Sequence, residues 1–361
     1  MSTAKVRMVK GPATVAVDGA CHVLGSDVSG QTITVRAGKA LPFEPSGRCR
    51  LRARLGRGGR MWLADPTSAG TSMWRGLAQQ VLAGGKKITI MLAGDTDTGK
   101  STLATYLANM ALERRLVPCI VDGDIGQGDL APPASIGAAA LSKQVTDLRD
   151  VSASLFEFVG NTSPAGFEHL VAKKLRSILE RAGPLGDICI VNTDGYVRGG
   201  GIQYKLMIAQ ELRPDVIVCI GENPELLDAF RNGSWQVLHT KASSQASKSG
   251  YERKSRRLDQ FLRHVGSGSS AAELSRVKFT YMGRLFSPSE LRIPPIVQLE
   301  PENMKGMFVG LGLNSQVVGF GIITDITPSS IYIRTDVNSF DRVYLSNIRL
   351  GRDRAIEIKI A

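Results

Sequence analysis

The segment Gly94–Ser101 has the sequence GDTDTGKS, which matches the pattern G-x-x-x-x-G-K-[ST] and directly follows an apolar stretch, Ile88–Ala93. Glycines in such a loop let backbone N–H groups turn towards phosphate oxygens, and the helix that begins there adds a partial positive charge. Lys100 would reach the β and γ phosphates, and the Ser101 hydroxyl would bind Mg²⁺. The pattern predicts a site for a nucleoside triphosphate, with ATP and Mg²⁺ as expected ligands. The residues expected to form it are Gly94, Asp95, Thr96, Asp97, Thr98, Gly99, Lys100, Ser101 and Thr102.

Short apolar segments alternate with amphipathic ones around this loop. The predicted strands are Ile88–Ala93, Val117–Val121, Leu155–Val159, Ile188–Val191 and Val216–Ile220. The predicted helices are Met73–Leu82, Lys100–Arg115, Phe167–Arg181 and Ile202–Leu212. This alternation indicates a parallel sheet covered on both faces, with the ligand at the carboxyl ends of the strands.

The chain has 361 residues, more than one hydrophobic core normally serves. Residues 1 to about 66 and those from about 271 onward show short apolar stretches between turn residues, a pattern typical of β structure. The expected fold class is therefore α/β: a P-loop NTPase core with a parallel sheet, flanked by smaller N-terminal and C-terminal β domains. We place the domains at 1–69, 70–270 and 271–361.

Four arginines alternate with apolar or small residues between Arg48 and Leu55. A period of two places Arg48, Arg50, Arg52 and Arg54 on one face of a strand. Two interpretations are open, a phosphate-binding face and a solvated strand face. The net charge of +12 favours a polyanionic partner, because clustered Lys and Arg neutralise backbone phosphates well.

Two carboxylates, Asp122 and Asp124, follow the strand Val117–Val121. Residues two apart share one side of an extended chain, so one carboxylate could hold the metal's water shell while the other accepts a proton from an attacking hydroxyl. The competing interpretation is a simple turn, because Asp-Gly is a common turn pair.

Residues 241–256 are polar, small and basic, and predict a mobile loop that leads into a basic helix, Arg253–His264. Arg253 and Arg257 share one helix face at spacing i, i+4. They fit an arginine clamp on a transferred phosphoryl group, a contact with RNA, or a solvated face. The four histidines have no metal-ligand spacing, and no Ser-His-Asp signature is evident.

The first nine residues lack the apolar core of a signal peptide, and no window reaches about 18 consecutive apolar residues. The expectation from these two observations is a cytoplasmic protein that does not interact with a membrane.

Several segments, taken in order, resemble one known family. They are the phosphate loop containing Asp97, DGDIGQG (122–128), GNTSP (160–164), NTDGYV (192–197) and the basic loop. The set is similar to the polynucleotide 5′-hydroxyl kinases related to the RNA kinase subunit of the pre-mRNA cleavage and tRNA-splicing machinery, and the compact length suggests an archaeal-type member. The resemblance covers the whole chain and implies an ATP-dependent kinase that phosphorylates the 5′-hydroxyl end of RNA, with DNA as a second candidate substrate.

The resemblance also implies roles for individual residues. Asp124 would activate the 5′-hydroxyl, and Ser101, Asp122, Asp124 and Gln127 would hold or position the metal. The lid arginines would be Arg253 and Arg257, with Arg256 able to replace either. A clasp for the terminal nucleotide would comprise Thr162, Ser163 and Pro164, with Tyr196 stacking on the base. The family often has Trp at the position of Tyr196 and an Asn near the clasp, so this chain departs from the pattern there.

Two other functions are compatible with the phosphate loop. A non-catalytic ATP-binding scaffold in an RNA-processing assembly would keep Lys100 and Ser101 but need neither Asp124 nor the lid arginines. A dethiobiotin-synthetase-like ligase also has T-D-T-G in its loop, but the flanking β domains and the charge weigh against it. The sequence does not identify protein partners.

Overall fold

The computed structural model describes residues 5–85, 87–242, 249–286, 304–351 and 355–357. Its helices are α1 (Thr71–Val81), α2 (Lys100–Glu113), α3 (Glu168–Ala182), α4 (Gly201–Leu212), α5 (Pro224–Arg231) and α6 (Gly250–His264). Its first strands are β1 (Val6–Lys10), β2 (Ala13–Val23), β3 (Ser26–Asp27), β4 (Thr32–Val35), β5 (Ala40–Leu55), β6 (Arg60–Ala64), β7 (Ile88–Gly94), β8 (Pro118–Gly123), β9 (Ser135–Ala140), β10 (Leu155–Phe158), β11 (Ile188–Thr193), β12 (Val216–Ile220) and β13 (Gln236–Thr240). The remaining strands are β14 (Ser269–Glu273), β15 (Lys278–Tyr281), β16 (Arg284–Phe286), β17 (Phe308–Leu313), β18 (Gln316–Ile326), β19 (Ser330–Arg334), β20 (Arg342–Leu345), β21 (Ile348–Leu350) and β22 (Ala355–Glu357).

The chain divides into two units, each described by itself. Unit 1 comprises Met1–Val121, Ala139–Ser152 and Leu179–Arg256. Unit 2 comprises Asp122–Ala138, Ala153–Ile178 and Arg257–Ala361. The predicted domain boundaries at 69/70 and 270/271 stay predictions.

Unit 1 begins with an antiparallel sheet in the strand order β3-β2-β5-β1-β6, with β4 paired to β2. Alternate residues of β2 are buried, and Val9, Val15, Val23 and Phe43 are fully buried in the interior. The 16-residue β5 is much longer than the apolar stretches of the sequence indicate, because its second half is the arginine-rich segment 48–55.

The nucleotide-binding half of unit 1 is built on parallel strands in the order β8-β11-β7-β12-β13. The pairs β11–β7, β12–β7 and β12–β13 are parallel, and β7, β11 and β12 carry continuous apolar runs that are almost entirely buried. Both faces of such a strand must be covered for the run to be apolar throughout. The predicted α/β core is thereby confirmed, and its loop at Gly94–Gly99 lies at the carboxyl end of β7.

Unit 2 contains an antiparallel pair, β9 and β10, which departs from the purely parallel pattern that the sequence predicted. It also contains a second sheet in the order β14-β19-β18-β17-β20-β15-β16. Phe158 at the end of β10 packs against Phe308, Phe320 and Tyr344 of this sheet, with ring centroids 5.9, 6.3 and 6.1 Å away. The β-rich N-terminal and C-terminal regions agree with the predicted fold class.

No helix among the described residues is both long and apolar enough to cross a membrane.

A buried ion cluster fixes the β4–β5 connection against the loop after β9 within unit 1. The Asp147 carboxylate lies 3.1 Å from Arg36, 3.0 Å from Lys39 and 2.9 Å from Arg149, and its side chain is only 3% exposed. Burial by itself would raise the pKa of Asp147, but Lys39 and Arg149 outweigh it and hold that pKa well below its ordinary value. The cluster therefore stabilises the fold only while Asp147 is ionised.

We predict that Asp147→Asn lowers the free energy of unfolding by about 3 kcal/mol at neutral pH, because it leaves buried cations without their counter-charge. Because the folded pKa is depressed, the contribution is present above the unfolded pKa of about 4 and is lost as the pH falls below it. Urea unfolding at a series of pH values measures both effects. Asp150→Asn is the matched control, because Asp150 is 51% exposed and should cost less than about 1 kcal/mol. Equal losses for the two variants would contradict the prediction.

Candidate active site

The loop between β7 and α2 leaves the amino end of α2 without a side-chain cap. Gly99 precedes α2 in the left-handed conformation, with φ 93°, and contributes no side-chain cap, and the first turn of α2 contains no acidic residue. A Cβ at Gly99 would meet nothing within 4 Å, so the approach to these N–H groups is open. The first N–H groups of a helix without a cap, next to open space, form an anion-binding site.

The P-loop lysine is held at this loop. Lys100 is 6% exposed, and its Nζ donates hydrogen bonds to the carbonyl oxygens of Gly94 at 2.9 Å and Asp95 at 2.7 Å. Its charge is thereby fixed beside the N–H groups of the helix end. Ser101, the next residue, has its Oγ 3.3 Å from Nδ2 of Asn192, which lies near the carboxyl end of β11.

Asp97 connects the loop to α6. It has a positive φ of 61°, and its Oδ2 lies 2.6 Å from an Nη of Arg253. Both predicted site residues therefore lie together in unit 1. Arg256 is 7% exposed, and Arg257 begins the part of α6 that belongs to unit 2.

The helix α6 begins at Gly250, three residues before the predicted start at Arg253. Ser249 and Glu252 form a reciprocal cap: the Ser249 N–H donates to Glu252 Oε2 at 2.7 Å, and the Glu252 N–H donates to Ser249 Oγ at 3.1 Å. This capping box is visible in the sequence as S-x-x-E and starts the helix earlier than charge patterning suggests. Residues 243–248 of the predicted mobile loop lie outside the described residues.

The segment after β11 packs directly against the loop. A Cβ at Gly195 would lie 2.6 Å from the Thr96 nitrogen, so only glycine fits there. Asp95, beside it, makes an ion pair of 3.1 Å with Arg198, which is 86% exposed. Tyr196 follows Gly195, is half-buried, and has its ring centroid 6.0 Å from that of Tyr204.

A fully buried ion pair stands behind Tyr196. Asp194 Oδ1 accepts hydrogen bonds from the Tyr196 N–H and from Lys205 Nζ, both at 2.8 Å, and Oδ2 accepts one from the Tyr204 hydroxyl at 2.9 Å. Lys205 is 0% exposed. The sequence analysis assigned no role to Asp194, Lys205 or Asn192, although polar residues at the carboxyl end of a buried strand were a usable signal.

Unit 2 holds the segment 122–130, which we call the carboxylate loop. Asp122 is buried, and its carboxylate accepts the backbone N–H groups of Asp124 at 3.4 Å, Asp129 at 2.5 Å and Leu130 at 3.2 Å. Asp122 thus organises the loop in addition to its predicted metal role. Gln260 of α6 supports the same loop, because its Nε2 donates to the carbonyl oxygen of Gly128 at 3.0 Å.

Asp124 uses only one carboxylate oxygen inside this loop. Its Oδ1 accepts the N–H groups of Gly126 at 3.1 Å and Gln127 at 2.8 Å, whereas Oδ2 accepts no hydrogen bond from the described residues. The competing interpretation, a turn at Asp122-Gly123, is wrong, because both residues lie at the end of β8. The turn comes later, at residues 125–127, and its N–H groups orient the Asp124 carboxylate.

The clasp segment lies beside the carboxylate loop within unit 2. A Cβ at Gly126 would lie 3.0 Å from the carbonyl oxygen of Thr162. Thr162 and Pro164 are buried and Ser163 is exposed. The Ser163 N–H donates to Asn161 Oδ1 at 3.0 Å, and Ser163 Oγ accepts the Ala165 N–H at 3.3 Å. The described residues of unit 2 therefore bring Asp124, Gln127 and the clasp together.

Comparison with known proteins gives a match to one family model. The family model described as mRNA cleavage and polyadenylation factor CLP1 P-loop matches residues 94–264. Over these residues the chain is similar to that family. This match confirms the resemblance that the sequence motifs indicated.

Curated relatives extend the similarity beyond these residues. A polyribonucleotide 5′-hydroxyl-kinase of Pyrococcus horikoshii is 27% identical over 281 residues, covering 76% of this chain and 76% of the relative. One of Methanocaldococcus jannaschii is 27% identical over 319 residues, covering 75% and 88%. A chain in the wild-type Clp1p–Pcf11p (454–563) complex has a TM-score of 0.71 at 13% identity, covering 96% of this chain and 94% of that one. The last comparison supports the fold alone.

We predict that Lys205→Met lowers the free energy of unfolding by about 3–5 kcal/mol, because it leaves Asp194 as a buried charge without a counter-ion. Tyr204→Phe is the matched control: it removes one hydrogen bond to the same carboxylate and should cost about 1–3 kcal/mol. Denaturant unfolding measures the stability of Lys205→Met, of Tyr204→Phe and of the double variant Asp194→Asn with Lys205→Met. The double variant should lose less stability than Asp194→Asn and Lys205→Met lose when their separate losses are added, because the two side chains interact. A Lys205→Met protein no less stable than Tyr204→Phe would show that the pair contributes little.

Proposed function

We propose that this chain is an ATP-dependent polynucleotide 5′-hydroxyl kinase that transfers the γ-phosphate of ATP to the 5′-OH end of RNA, with DNA as a second candidate substrate. The observation that carries the proposal is the combination of an uncapped helix end with Lys100 at its loop, and a separate carboxylate, Asp124, with one oxygen left available. Relatives named polyribonucleotide 5′-hydroxyl-kinases support the same assignment.

Unit 1 supplies the groups that bind and neutralise the triphosphate. The N–H groups of the loop and of the first turn of α2 would hold the phosphate oxygens, and Lys100 would balance their charge. Arg253 is anchored to the loop by Asp97, and its guanidinium would contact the transferred phosphoryl group. Transfer of this group depends more on position and charge than on covalent chemistry, so these contacts would account for most of the rate enhancement.

Unit 2 supplies the proton acceptor. Asp124 Oδ2 would accept the proton of the RNA 5′-hydroxyl as the hydroxyl oxygen bonds to the γ-phosphorus of ATP. The bond from that phosphorus to the β–γ bridging oxygen would break at the same step and release ADP, while Oδ1 stays bound to the loop N–H groups. Arg257 and Arg256 remain candidates for a lid or RNA contact. Asp122 would support the proton acceptor by holding the loop backbone in place.

We propose Ser101, Asp122, Asp124 and Gln127 as the residues that would hold or position Mg²⁺. They offer hydroxyl, carboxylate and amide oxygens, which fit this hard cation, and magnesium sites need only one or two protein carboxylates besides substrate phosphates. Among the described residues no group of three or more His, Cys, Asp and Glu is placed to hold a metal. When bound, Mg²⁺ would neutralise charge that develops on the phosphate oxygens.

A non-catalytic scaffold is not favoured. A scaffold needs the nucleotide loop but gains nothing from a carboxylate with an available oxygen or from an arginine paired with Asp97 of that loop. The flanking β sheets and the family match also weigh against a dethiobiotin-synthetase-like ligase.

The cytoplasmic location stays a prediction.

Incubation of the protein with γ-labelled ATP and a 5′-hydroxyl oligonucleotide tests this function. We expect label on the oligonucleotide with the wild-type chain, and a loss of about 10²-fold or more in turnover for Asp124→Asn, the usual scale for a positioned base. ATP affinity of this variant should stay nearly unchanged. Asp228→Asn, an exposed aspartate on α5, is the control and should transfer label normally.

Two results would count against this assignment. Label on the oligonucleotide at the wild-type rate in Asp124→Asn would move the proton-acceptor role to Asp122 or Asp97. Absence of transfer by the wild-type chain to any 5′-hydroxyl end, together with normal ATP binding, would favour the scaffold.

A further prediction concerns how the RNA end is held. We expect the terminal nucleotide to contact the clasp, Thr162 to Pro164, and the half-buried ring of Tyr196. One base stack contributes about 1–3 kcal/mol, so Tyr196→Ala should raise the oligonucleotide KM about 10- to 100-fold. The KM for ATP should barely change.

The controls separate stacking from folding. Tyr196→Trp should retain activity, because it keeps an aromatic face, and Tyr332→Ala removes a partly exposed ring from β19 and should leave both KM values unchanged. If Tyr196→Ala kept its oligonucleotide KM, or raised the KM for ATP equally, the ring would be acting as ordinary packing beside Tyr204.

A further inference from the structure

The second half of β5, its connection to β6 and β6 itself form a segment of single charge sign. The twenty residues from Pro45 to Ala64 contain six arginines and no Asp or Glu. All six arginine side chains are exposed: Arg48, Arg50, Arg52, Arg54, Arg57 and Arg60. We refer to the first four, which share one strand, as the arginine strip.

The strand geometry places the arginine strip on one face. Burial alternates along β5, with Leu51 only 8% exposed between exposed arginines. Alternate residues of a strand repeat about every 7 Å on the same face. On β2, Thr14 lies opposite Arg54 and Ala16 opposite Arg52, and these short side chains leave the guanidinium groups uncovered.

The arginine strip is also unneutralised within the described part of the chain. None of its four guanidiniums makes an ion pair there, and Asp18, opposite Arg50, is the acidic residue in register with the strip on β2. Elsewhere in unit 1 arginines do pair with carboxylates, as Arg36 does with Asp147 and Arg253 with Asp97. Clustered like charges repel, so the strip gains most from a polyanion.

We propose that the arginine strip binds the sugar-phosphate backbone of the single-stranded RNA substrate, at nucleotides beyond the 5′-terminal one. The proposal rests on the proposed function for the identity of the polyanion. Guanidinium groups bind phosphate oxygens in bidentate fashion, and a row of them follows a backbone without selecting sequence. An enzyme that must accept many RNA ends needs this kind of contact.

A contact within unit 1 links this sheet to the helix that carries Arg253. Lys10 Nζ, on β1 of the same sheet, lies 3.3 Å from the carboxylate of Glu252. Glu252 both caps α6 and immediately precedes Arg253 in the chain. The N-terminal sheet is therefore in direct contact with one element of the candidate site.

Equilibrium binding by fluorescence anisotropy, without ATP, tests the proposal. The probes are 5′-hydroxyl oligouridylates of about 20 and about 3 nucleotides, and the variant carries Arg48→Gln, Arg50→Gln, Arg52→Gln and Arg54→Gln together. Each phosphate contact on a single strand contributes about 0.7 to the slope of log affinity against log salt, so four contacts contribute about 2.8. Raising the salt from about 50 to about 200 mM should weaken binding of the longer probe to both proteins. The loss of affinity should be on the order of 50-fold larger for the wild type than for the variant. Affinity for the short probe should not change.

Two further variants isolate the cause. A matched variant removes four exposed positive charges elsewhere, with Gln at Arg114, Arg115, Lys143 and Lys173, and should keep the wild-type salt slope. A variant with Lys at all four strip positions should regain most of the slope, because Lys also neutralises phosphate. Thermal unfolding of every variant verifies the fold.

The outcomes are distinct from those of the kinase assay. An unchanged slope in the strip variant, or an equal reduction in the matched variant, would overturn the proposal. The proposal would also be overturned if the strip variant lost binding to an acidic protein while its RNA binding stayed intact. A wild-type chain that binds the long probe through the strip but transfers no phosphate would leave this inference standing and reject the kinase function.

Discussion

The amino end of α2 is the constraint around which the candidate site is organised. Its first N–H groups have no side-chain cap and its first turn has no acidic residue, so the fold leaves a partial positive charge where most helices neutralise it. Lys100 adds a full charge at the same loop, and Gly195 closes against Thr96. A site assembled this way favours a phosphate anion before any substrate-specific contact is made.

Carboxylates pair with the basic side chains around this loop and hold them in place. Asp97 holds Arg253 at the loop, Asp95 pairs with Arg198, and Asp194 is buried with Lys205 behind Tyr196. Replacing a buried pair such as Asp194–Lys205 with apolar residues is often neutral or stabilising, so stability alone does not account for it. The pair instead fixes the turn at Tyr196, because the same carboxylate accepts that residue's N–H.

The sequence allowed prediction of those parts of the fold that rest on local pattern. The strands β7, β11 and β12 are continuous apolar runs, and β12 has the predicted bounds of Val216–Ile220. The strand β9 was missed because its sequence, SIGAAA, has one β-branched residue, Ile136, among small residues that are uncommon in strands. Burial of Lys205 could not be predicted, since the partner that permits it, Asp194, lies on another element.

Binding the phosphates and accepting the proton require different kinds of contact in the proposed reaction. In the proposed function, phosphate recognition would use backbone N–H groups, which substitution of side chains hardly alters. The proposed proton acceptor, Asp124, is a single side chain, so its loop must be stiff: Asp122 binds three backbone N–H groups and Gln260 supports the loop from α6. RNA beyond the terminal nucleotide needs neither precision nor burial, and the arginine strip on an exposed strand face offers only charge at a regular spacing. In this proposal the arginine strip tolerates any RNA sequence, whereas the candidate site positions the reacting atoms accurately.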